Sequence, residues 1–443
     1  MPAFIRILVL LGGLCLCTAL PVSAAAPEIR AAVALGQHSI EITVPEGGAV
    51  LLDGRKAPQP LHPDRVRTVL SADKTGFRLG KTVLAGKSIT ITAPQNATVE
   101  VNRRRYRGAI TILRTAGATP ALDVINTLAL EQYLYGVVPQ EMPASWPKEA
   151  LKAQAVAARS FALALKEANR LQLYDVKASV SSQVYGGFLA EEATTNKVVD
   201  ETRGLVIADA GRCVPGYYHS VSGGYTETSE AVWGSPKPYL QAVADVVTKA
   251  PQEKWERTFS PEVLDRYLTQ AGLNIGKLQA IRLSPLAGQP VRAADRSTSG
   301  RVTTLRLVGS NGEASLEGSR LRQLLQLPST LFDVAVVSEV PKEIAATITD
   351  SYGNPVAEKK IPVQVGDQSI APLWSDAKDV RRISRGTGVM IRFFGRGFGH
   401  GVGMSQWGAK TIAEQAKPDD PAIFRTILQK YYPGVALMKA YED

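Results

Sequence analysis

Cysteine, histidine and long apolar runs are scarce in this sequence, and each shortage excludes a class of protein. Three cysteines occur among 443 residues, and two of them, Cys15 and Cys17, lie within the first twenty. If that segment is removed, Cys213 remains alone and no internal disulfide can form. The presence of only four histidines argues against a histidine-rich metal site. After residue 20, no stretch approaches the roughly 18 apolar residues of a transmembrane helix.

The rest of the composition is that of a globular protein with a sizeable core. Hydrophobic residues make up 45% of the chain and charged residues 21%, which excludes a largely disordered chain or a coiled coil. The formal net charge is +10. Such a charge favours a polyanionic partner or a negatively charged milieu such as the bacterial envelope. No nucleic-acid partner is predicted, because the chain has no recognised nucleic-acid-binding module.

The N-terminal segment has the pattern of a secretory signal peptide. Arg6 is its single charge, residues 7–20 are mostly apolar, and small residues follow at 21–26. The apolar run is too short to cross a bilayer comfortably. We therefore predict a signal peptide at residues 1–26, with an uncleaved anchor as the alternative. The mature chain is then exported to the periplasm or cell envelope and keeps no stable membrane span.

The apolar patterns predict an α+β fold. In residues 27–110 apolar side chains such as Ile40 and Ile42 alternate with polar ones, which indicates a β-rich N-terminal domain. Residues 111–434 form a larger mixed α/β region, with a small β insertion at 343–373. Further helices are predicted at about 261–271, at 319–325 and from about residue 405, and short strands with glycine-rich turns at 176–247.

An arginine-rich run, residues 103–107, lies within the predicted N-terminal domain. It contains four arginines and Tyr106. Such a run is most often a solvated edge strand, whose charges prevent pairing with other chains. Contact with an acidic polymer is the alternative.

One strong helix is predicted after residue 145. Ser145 is placed as its N-cap and Pro147 in its first turn. Apolar residues, most of them alanines, then recur every three or four positions and mark a buried face that another element can approach closely. They are Leu151, Ala155, Ala158, Ala162 and Leu165. Lys152 and Arg159 lie two turns apart, and a charge among so many alanines is expected to be paired or to face a cleft.

Glu141 is the strongest candidate for a catalytic group. Pro139 and Pro143 fix the backbone on either side of it, and its neighbours are apolar. A carboxyl group in such a setting is desolvated, which raises its pKa toward the range of a general acid. A surface glutamate in a loop is the alternative. Glu131 and Glu149 are weaker candidates, because ordinary roles as a surface acid and a helix-start acid explain them.

Four blocks of the sequence, taken in order, form a signature. The first runs from Pro139-Gln140-Glu141-Met142-Pro143 through the helix to Ser160. The others are Ser182-Gln183-Val184-Tyr185-Gly186-Gly187, then Tyr218-His219-Ser220-Val221-Ser222-Gly223-Gly224, then Gly399-His400-Gly401-Val402-Gly403-Met404-Ser405-Gln406-Trp407. Together they resemble the stage II sporulation protein D (SpoIID) and amidase-enhancer family. The resemblance covers about 111–434 and leaves residues 27–110 and 343–373 poorly matched.

The resemblance implies a peptidoglycan lytic transglycosylase, with residues 111–434 as the catalytic domain. The best-studied members cleave glycan strands stripped of stem peptides, and their catalytic acid maps onto Glu141. Glu141 would protonate the oxygen between MurNAc and GlcNAc, then take the proton of the muramyl C6 hydroxyl and so close a 1,6-anhydro ring. One carboxyl group suffices for this reaction, whereas glycoside hydrolysis needs two.

The resemblance also assigns substrate-binding residues. Lys152 and Arg159 map onto residues important for activity in the family. The residues expected to line the groove are Gln183, Tyr185, Ser222, His400, Ser405 and Gln406. A histidine between two glycines has little to pack against, which makes His400 the strongest of this set. Each of the six has an alternative role as a turn or packing residue.

The expected partners follow from the same resemblance. They are peptidoglycan glycan strands and a cell-wall amidase, and the alternative function is a non-catalytic, wall-binding activator of an N-acetylmuramoyl-L-alanine amidase. Some family members bind zinc through Cys and His near the Tyr-His-Ser block. Because Cys213 and His219 have no second cysteine beside them, we predict no metal and no cofactor.

Overall fold

The computed structural model describes residues 26–57, 66–117, 119–246, 249–251, 253–286, 290–338, 343–349, 355–362, 379–386, 388–417 and 420–442. The predicted signal peptide, apart from Ala26, lies outside these residues. Among the helices in the described ranges, none combines the length and apolarity needed to cross a membrane.

The described elements alternate between strand-rich and helix-rich stretches. The strands before the first helix are β1 Glu28–Gln37, β2 Ser39–Thr43, β3 Ala49–Leu52, β4 Arg55–Lys56, β5 Thr68–Ala72, β6 Gly76–Leu79, β7 Thr82–Ala85, β8 Ser88–Thr92, β9 Val99–Val101, β10 Arg104–Tyr106, β11 Ala109–Thr115 and β12 Ala121–Ala129. The helices are α1 Leu130–Tyr135, α2 Val138–Glu141, α3 Lys148–Ala168, α4 Ala193–Glu201, α5 Ser229–Trp233, α6 Pro261–Gln270, α7 Gly318–Leu325, α8 Gln406–Gln415 and α9 Ile423–Tyr431, with a 3₁₀ turn at Phe188–Ala190. The later strands are β13 Val176–Lys177, β14 Leu205–Asp209, β15 Arg212–Cys213, β16 Tyr218–His219, β17 Lys254–Phe259, β18 Leu278–Arg282, β19 Thr304–Gly309, β20 Gly312–Glu317, β21 Phe332–Ser338, β22 Glu343–Thr349, β23 Pro355–Pro362, β24 Val380–Arg382, β25 Val389–Arg396, β26 Met404–Ser405 and β27 Ala436–Lys439.

Two sheets build the N-terminal part of the chain. Their strand orders are β13-β1-β12-β11-β8-β3-β4 and β10-β9-β2-β5-β6-β7. Alternate residues of both sheets, such as Ile42 and Ile112, are buried in one shared core, which confirms the period-two prediction. Strand β11 passes through residue 110, so the first sheet continues across the predicted domain boundary. That boundary stays a prediction.

Helix α3 lies between two hydrophobic cores. Ala155 and Ala158 belong to the N-terminal core, whereas Val156 and Ala157 belong to a second core built with α8 and α9. The small alanine side chains let both cores approach the helix. The predicted helix is confirmed, but its predicted N-cap is wrong: Pro147 occupies the N-cap position and no side chain caps the helix. The reason is that Ser145 lies in a preceding turn, which the backbone closes between Pro143 and Trp146.

A third core fills the region between residues 255 and 393. Helices α6 and α7 pack there against two antiparallel sheets, as the sequence predicted for 261–271 and 319–325. Ser260 accepts a hydrogen bond from the amide of Val263 and caps α6. Within the predicted insertion, β22 and β23 pair as an antiparallel hairpin.

Five of the nine helices in the described ranges were not predicted. Helices α1 and α2 precede the predicted helix α3, α4 and α5 lie in the stretch assigned to strands and turns, and α9 lies near the C-terminus. The first four are short, so few apolar repeats mark them. Helix α9 buries residues at a clear helical spacing, and this signal was present in the sequence. They are Phe424, Ile427, Leu428 and Tyr431.

Candidate active site

The Glu141 carboxyl group lies where three separate parts of the chain meet. Glu141 ends the short helix α2 and is half-buried. Its Oε1 accepts a hydrogen bond from the backbone amide of Val184 at 3.1 Å. Its Oε2 accepts one from Nε2 of Gln406, the first residue of α8, at 3.4 Å. The hydroxyl of Tyr218 in β16 is the third partner.

Burial favours the protonated form of this carboxyl group. Desolvation raises the pKa of Glu141 above its ordinary value of 4.5, although the donors from Val184, Tyr218 and Gln406 work in the opposite direction. Neither Lys152 nor Arg159 is among the causes of this shift. The carboxyl group therefore keeps its proton to a higher pH than an exposed glutamate does, which suits a proton donor.

A chain of hydrogen bonds fixes the Tyr218 hydroxyl. The Tyr133 hydroxyl donates to Gln183 Oε1 at 3.2 Å, and Gln183 Nε2 donates to the Tyr218 oxygen at 3.1 Å. Gln183 Nε2 also lies 3.2 Å from the carbonyl of Ala158 in α3. Because Tyr218 accepts from Gln183, its own proton is directed to Glu141. Burial raises the pKa of Tyr218 well above its usual range, so it stays a donor.

Five of the six predicted groove residues are buried rather than exposed. Gln183, Tyr185 and Gln406 are 1%, 3% and 7% exposed, and Ser222 and Ser405 are fully buried. The Tyr185 hydroxyl donates to Asn126 at 2.9 Å. A substrate-contacting role for these five stays a prediction, and their burial argues against it.

The two serines have clear local functions. Ser222 donates to Asp245 at 2.6 Å, and the Tyr431 hydroxyl donates to the other oxygen of the same carboxylate. Ser405 accepts a hydrogen bond from the amide of Gly408 and so caps α8. This cap orients the helix whose first residue is Gln406, and it thereby positions a donor to Glu141.

His400 is half-buried among aromatic rings. The ring centres of Trp233, His219 and Tyr217 lie 5.4, 5.7 and 6.5 Å away, so the argument that it has little to pack against is wrong. Its Nδ1 accepts a hydrogen bond from the Val402 amide at 3.0 Å. Burial, aided by nearby arginine charges, lowers the pKa of His400 to about 4. The imidazole is therefore neutral at neutral pH.

Lys152 and Arg159 are paired with carboxylates, as the sequence allowed. Arg159 is fully buried and forms a bidentate ion pair with Glu131, with N–O distances of 3.0 and 2.7 Å. The Lys152 ammonium group lies 2.8 Å from Glu149 and 3.2 Å from Glu201. Within the described part of the chain, neither residue forms an ion pair with Glu141. A substrate-binding role for both stays a prediction.

Tyr218 is the residue that sequence reasoning missed. It opens the third signature block, but its neighbours His219 and Ser222 carry the more familiar catalytic side chains. In the sequence, the only indication that this tyrosine belongs to the site was its position in the signature block. The Val184 amide could not have been found from residue type, because any residue except proline provides the same donor.

The described residues contain no cluster of side chains that could bind a metal ion. No three His, Cys, Asp or Glu side chains in these ranges are arranged to hold an ion. The Cys213 thiol faces the Ser160 carbonyl at 3.8 Å, and burial raises its pKa to about 12. His219 donates through Nδ1 to the Val402 carbonyl. The expected absence of a metal stays a prediction.

Known proteins resemble most of this chain. The family model described as SpoIID, stage II sporulation protein, matches residues 118–208. The amidase enhancer of Bacillus subtilis is 33% identical over 310 residues, which is 69% of this chain but 40% of that protein. An uncharacterized protein of Brachyspira hyodysenteriae is 30% identical over 71% of this chain and 68% of its own length. Stage II sporulation protein D of Bacillus amyloliquefaciens is 28% identical over 77% of this chain and 87% of its own length.

Proposed function

Because the chain belongs to the stage II sporulation protein D family, we propose that it is an exported lytic transglycosylase of the cell wall. Its substrate is the MurNAc-GlcNAc glycan strand of peptidoglycan, stripped of stem peptides. The observation that carries this proposal is the Glu141 carboxyl group, whose pKa is raised by burial while three donors orient it. Among the described residues, the hydrogen-bonding partners of Glu141 are an amide N–H, a phenol and a side-chain amide.

These partners fit a reaction in which one carboxyl group acts twice. In the first step Glu141, in its protonated form, which burial favours, gives its proton to the glycosidic oxygen as the C–O bond to muramyl C1 breaks. In the second step the resulting carboxylate takes the proton of the C6 hydroxyl, whose oxygen bonds to C1 and closes the 1,6-anhydro ring. The donors from Val184, Tyr218 and Gln406 stabilise the carboxylate between these steps.

Two of the predicted groove residues act through the partners of Glu141. We assign Gln183 to holding the Tyr218 hydroxyl and Ser405 to holding the start of α8. Arg159 ties α3 to Glu131 and supports the fold. Gln406 is the predicted residue whose side chain contacts Glu141 directly.

The test is mass spectrometry of the products from denuded glycan strands. Wild-type protein is expected to release 1,6-anhydro-muramyl ends, and Glu141→Gln to release none, because an amide cannot donate the proton. Glu167→Gln is the matched control, since that glutamate is exposed on α3 with 76% of its side chain accessible. Reducing ends without the anhydro ring would contradict the proposal and indicate a hydrolase.

A second candidate function is activation of a separate cell-wall amidase. The observation in its favour is the similarity to a protein named amidase enhancer, although the chain spans only 40% of that protein's length. Strand binding without any cleavage, together with a faster N-acetylmuramoyl-L-alanine amidase in the same reaction, would favour this function.

A further inference from the structure

A short segment links the arginine-rich run of the N-terminal region to the Glu141 site. Strand β10 forms the edge of its sheet, and Arg105 on it is exposed. The segment 184–188 links the two places. Its Val184 amide contacts Glu141, and its last residue, Phe188, lies under the Arg105 guanidinium group, 4.9 Å from ring centre to guanidinium carbon.

Two glycines make this linking segment fit closely. A Cβ atom on Gly186 would lie 3.2 Å from the Gln140 side chain, next to Glu141. A Cβ atom on Gly187 would lie 2.6 Å from the carbonyl oxygen of Arg105. Four residues of extended chain reach at most about 14 Å. With the contacts at both ends of the segment and the reach of the Phe188 side chain added, the Arg105 guanidinium group lies within roughly 30 Å of the Glu141 carboxyl group, a distance that a glycan strand of several sugar residues covers.

Arg105 differs from Arg103 and Arg107, two other arginines of the run, in its partners. Arg107 forms a bidentate pair with Glu191 at 2.7 and 2.8 Å, and Arg103 lies 3.5 Å from Glu41. Arg105 donates through Nε to the Thr98 hydroxyl at 3.0 Å, and no carboxylate in the described part of the chain pairs with it. Its positive charge is therefore not neutralised by an ion pair, although Glu46 and Glu100 line the same surface pocket. The Phe188 ring packs against this guanidinium group and against that of Arg107, whose guanidinium carbon lies 4.7 Å from the ring centre.

We propose that Arg105 binds the lactyl carboxylate of a muramic acid residue in the strand being cleaved. This inference rests on the proposed function. When an amidase removes a stem peptide, hydrolysis of the amide leaves one free carboxylate on that sugar, whereas a strand with its peptides has an amide there. An arginine fork matches a carboxylate in shape and charge. The N-terminal β region thereby distinguishes strands without stem peptides from strands that still have them.

The experiment measures strand binding in a Glu141→Gln background, so that cleavage does not enter the result. The two ligands are denuded strands free of phosphate polymers and the same strands with their carboxylates converted to methyl amides. We expect the denuded strands to bind about 3- to 10-fold more tightly. Arg105→Gln should remove this difference, and Arg103→Gln, which makes the same charge change in the same run, should keep it.

Three outcomes would overturn the inference. In the first, Arg105→Gln weakens binding of the denuded and the amidated strands equally. In the second, Arg105→Gln changes the binding of neither strand, and in the third, Arg103→Gln removes the difference between the strands as Arg105→Gln does. Discrimination that appears only with strands still bearing a phosphate polymer would also overturn it, because the ligand is then a phosphate. If Arg105 distinguishes the strands but wild-type protein forms no anhydro ends, the catalytic proposal fails while this binding site stands.

Discussion

Replacement of Arg159 should damage stability rather than substrate binding. The guanidinium group is fully buried, and it donates to both oxygens of Glu131 and to the carbonyls of Leu205 and Val199. Arg159→Met leaves a carboxylate buried without its partner, which costs about 3–5 kcal/mol. For a protein of this size that loss corresponds to a fall in Tm of about 3–6 °C.

The assay is thermal denaturation alongside activity on denuded strands at a temperature where the variant is folded. Glu131→Gln is the matched control, because it breaks the same pair from the other side, and we expect a similar fall in Tm. Activity per folded molecule should stay close to that of the wild type in both variants. An Arg159→Met protein with wild-type Tm and no activity would refute this reasoning and place Arg159 at the substrate.

The same ion pair predicts a pH dependence. Burial alone would raise the pKa of Glu131, but the charge and hydrogen bonds of Arg159, with those of Tyr441 and the Gly204 amide, outweigh burial and lower it. Because the folded pKa lies below the ordinary value of 4.5, the stabilisation is complete above pH 4.5 and is lost as the pH falls through the folded value. The difference in stability between wild type and Arg159→Met should therefore shrink in acid.

Three further predictions follow from other contacts. Tyr218→Phe removes a donor to the carboxylate, so the pKa of Glu141 should rise further. The alkaline limb of the pH–rate profile should then move to higher pH, and kcat should fall roughly 10- to 100-fold. A shift of that limb to lower pH would contradict this. Gly216→Ala places a Cβ atom 2.7 Å from the Ala157 carbonyl oxygen and should cost about 1–3 kcal/mol in denaturant unfolding, whereas an unchanged midpoint would contradict the close packing. Cys213, whose pKa burial raises to about 12, should react slowly with an alkylating reagent until the protein unfolds, and rapid labelling of the native protein would contradict its burial.

The sequence predicted elements with strong local patterns and missed those that depend on distant contacts. The alternation around Ile42 and the spacing along α3 reflect burial of one face, so both elements were found. The N-cap was misplaced because Ser145 is a good capping residue by type, yet the turn before it and Pro147 decide where the helix begins. Residue type alone does not show which of these residues becomes the N-cap.

In the candidate site, too, the residue with a strong local pattern was predicted from that pattern, whereas the convergence of the residues brought in by distant contacts was not. Glu141 was found because two prolines and apolar neighbours predict desolvation of its side chain. Its donors come from positions 184, 218 and 406, and their convergence depends on how the chain packs around α3. The resemblance identified the blocks that carry them, but it could not distinguish a residue that contacts Glu141, such as Gln406, from one buried behind it, such as Ser222.

The proposed reaction places opposing demands on Glu141, and its surroundings meet both. An acid needs an environment that disfavours the anion, and burial provides it by raising the pKa. The base of the second step needs the anion to be tolerated, and the donors from Val184, Tyr218 and Gln406 provide this by lowering the pKa. Burial alone would give an acid that could not release its proton readily, and the donors alone would give a carboxylate with no proton to release. Because the two effects act on one group, a single side chain can both donate and accept a proton in the same reaction cycle.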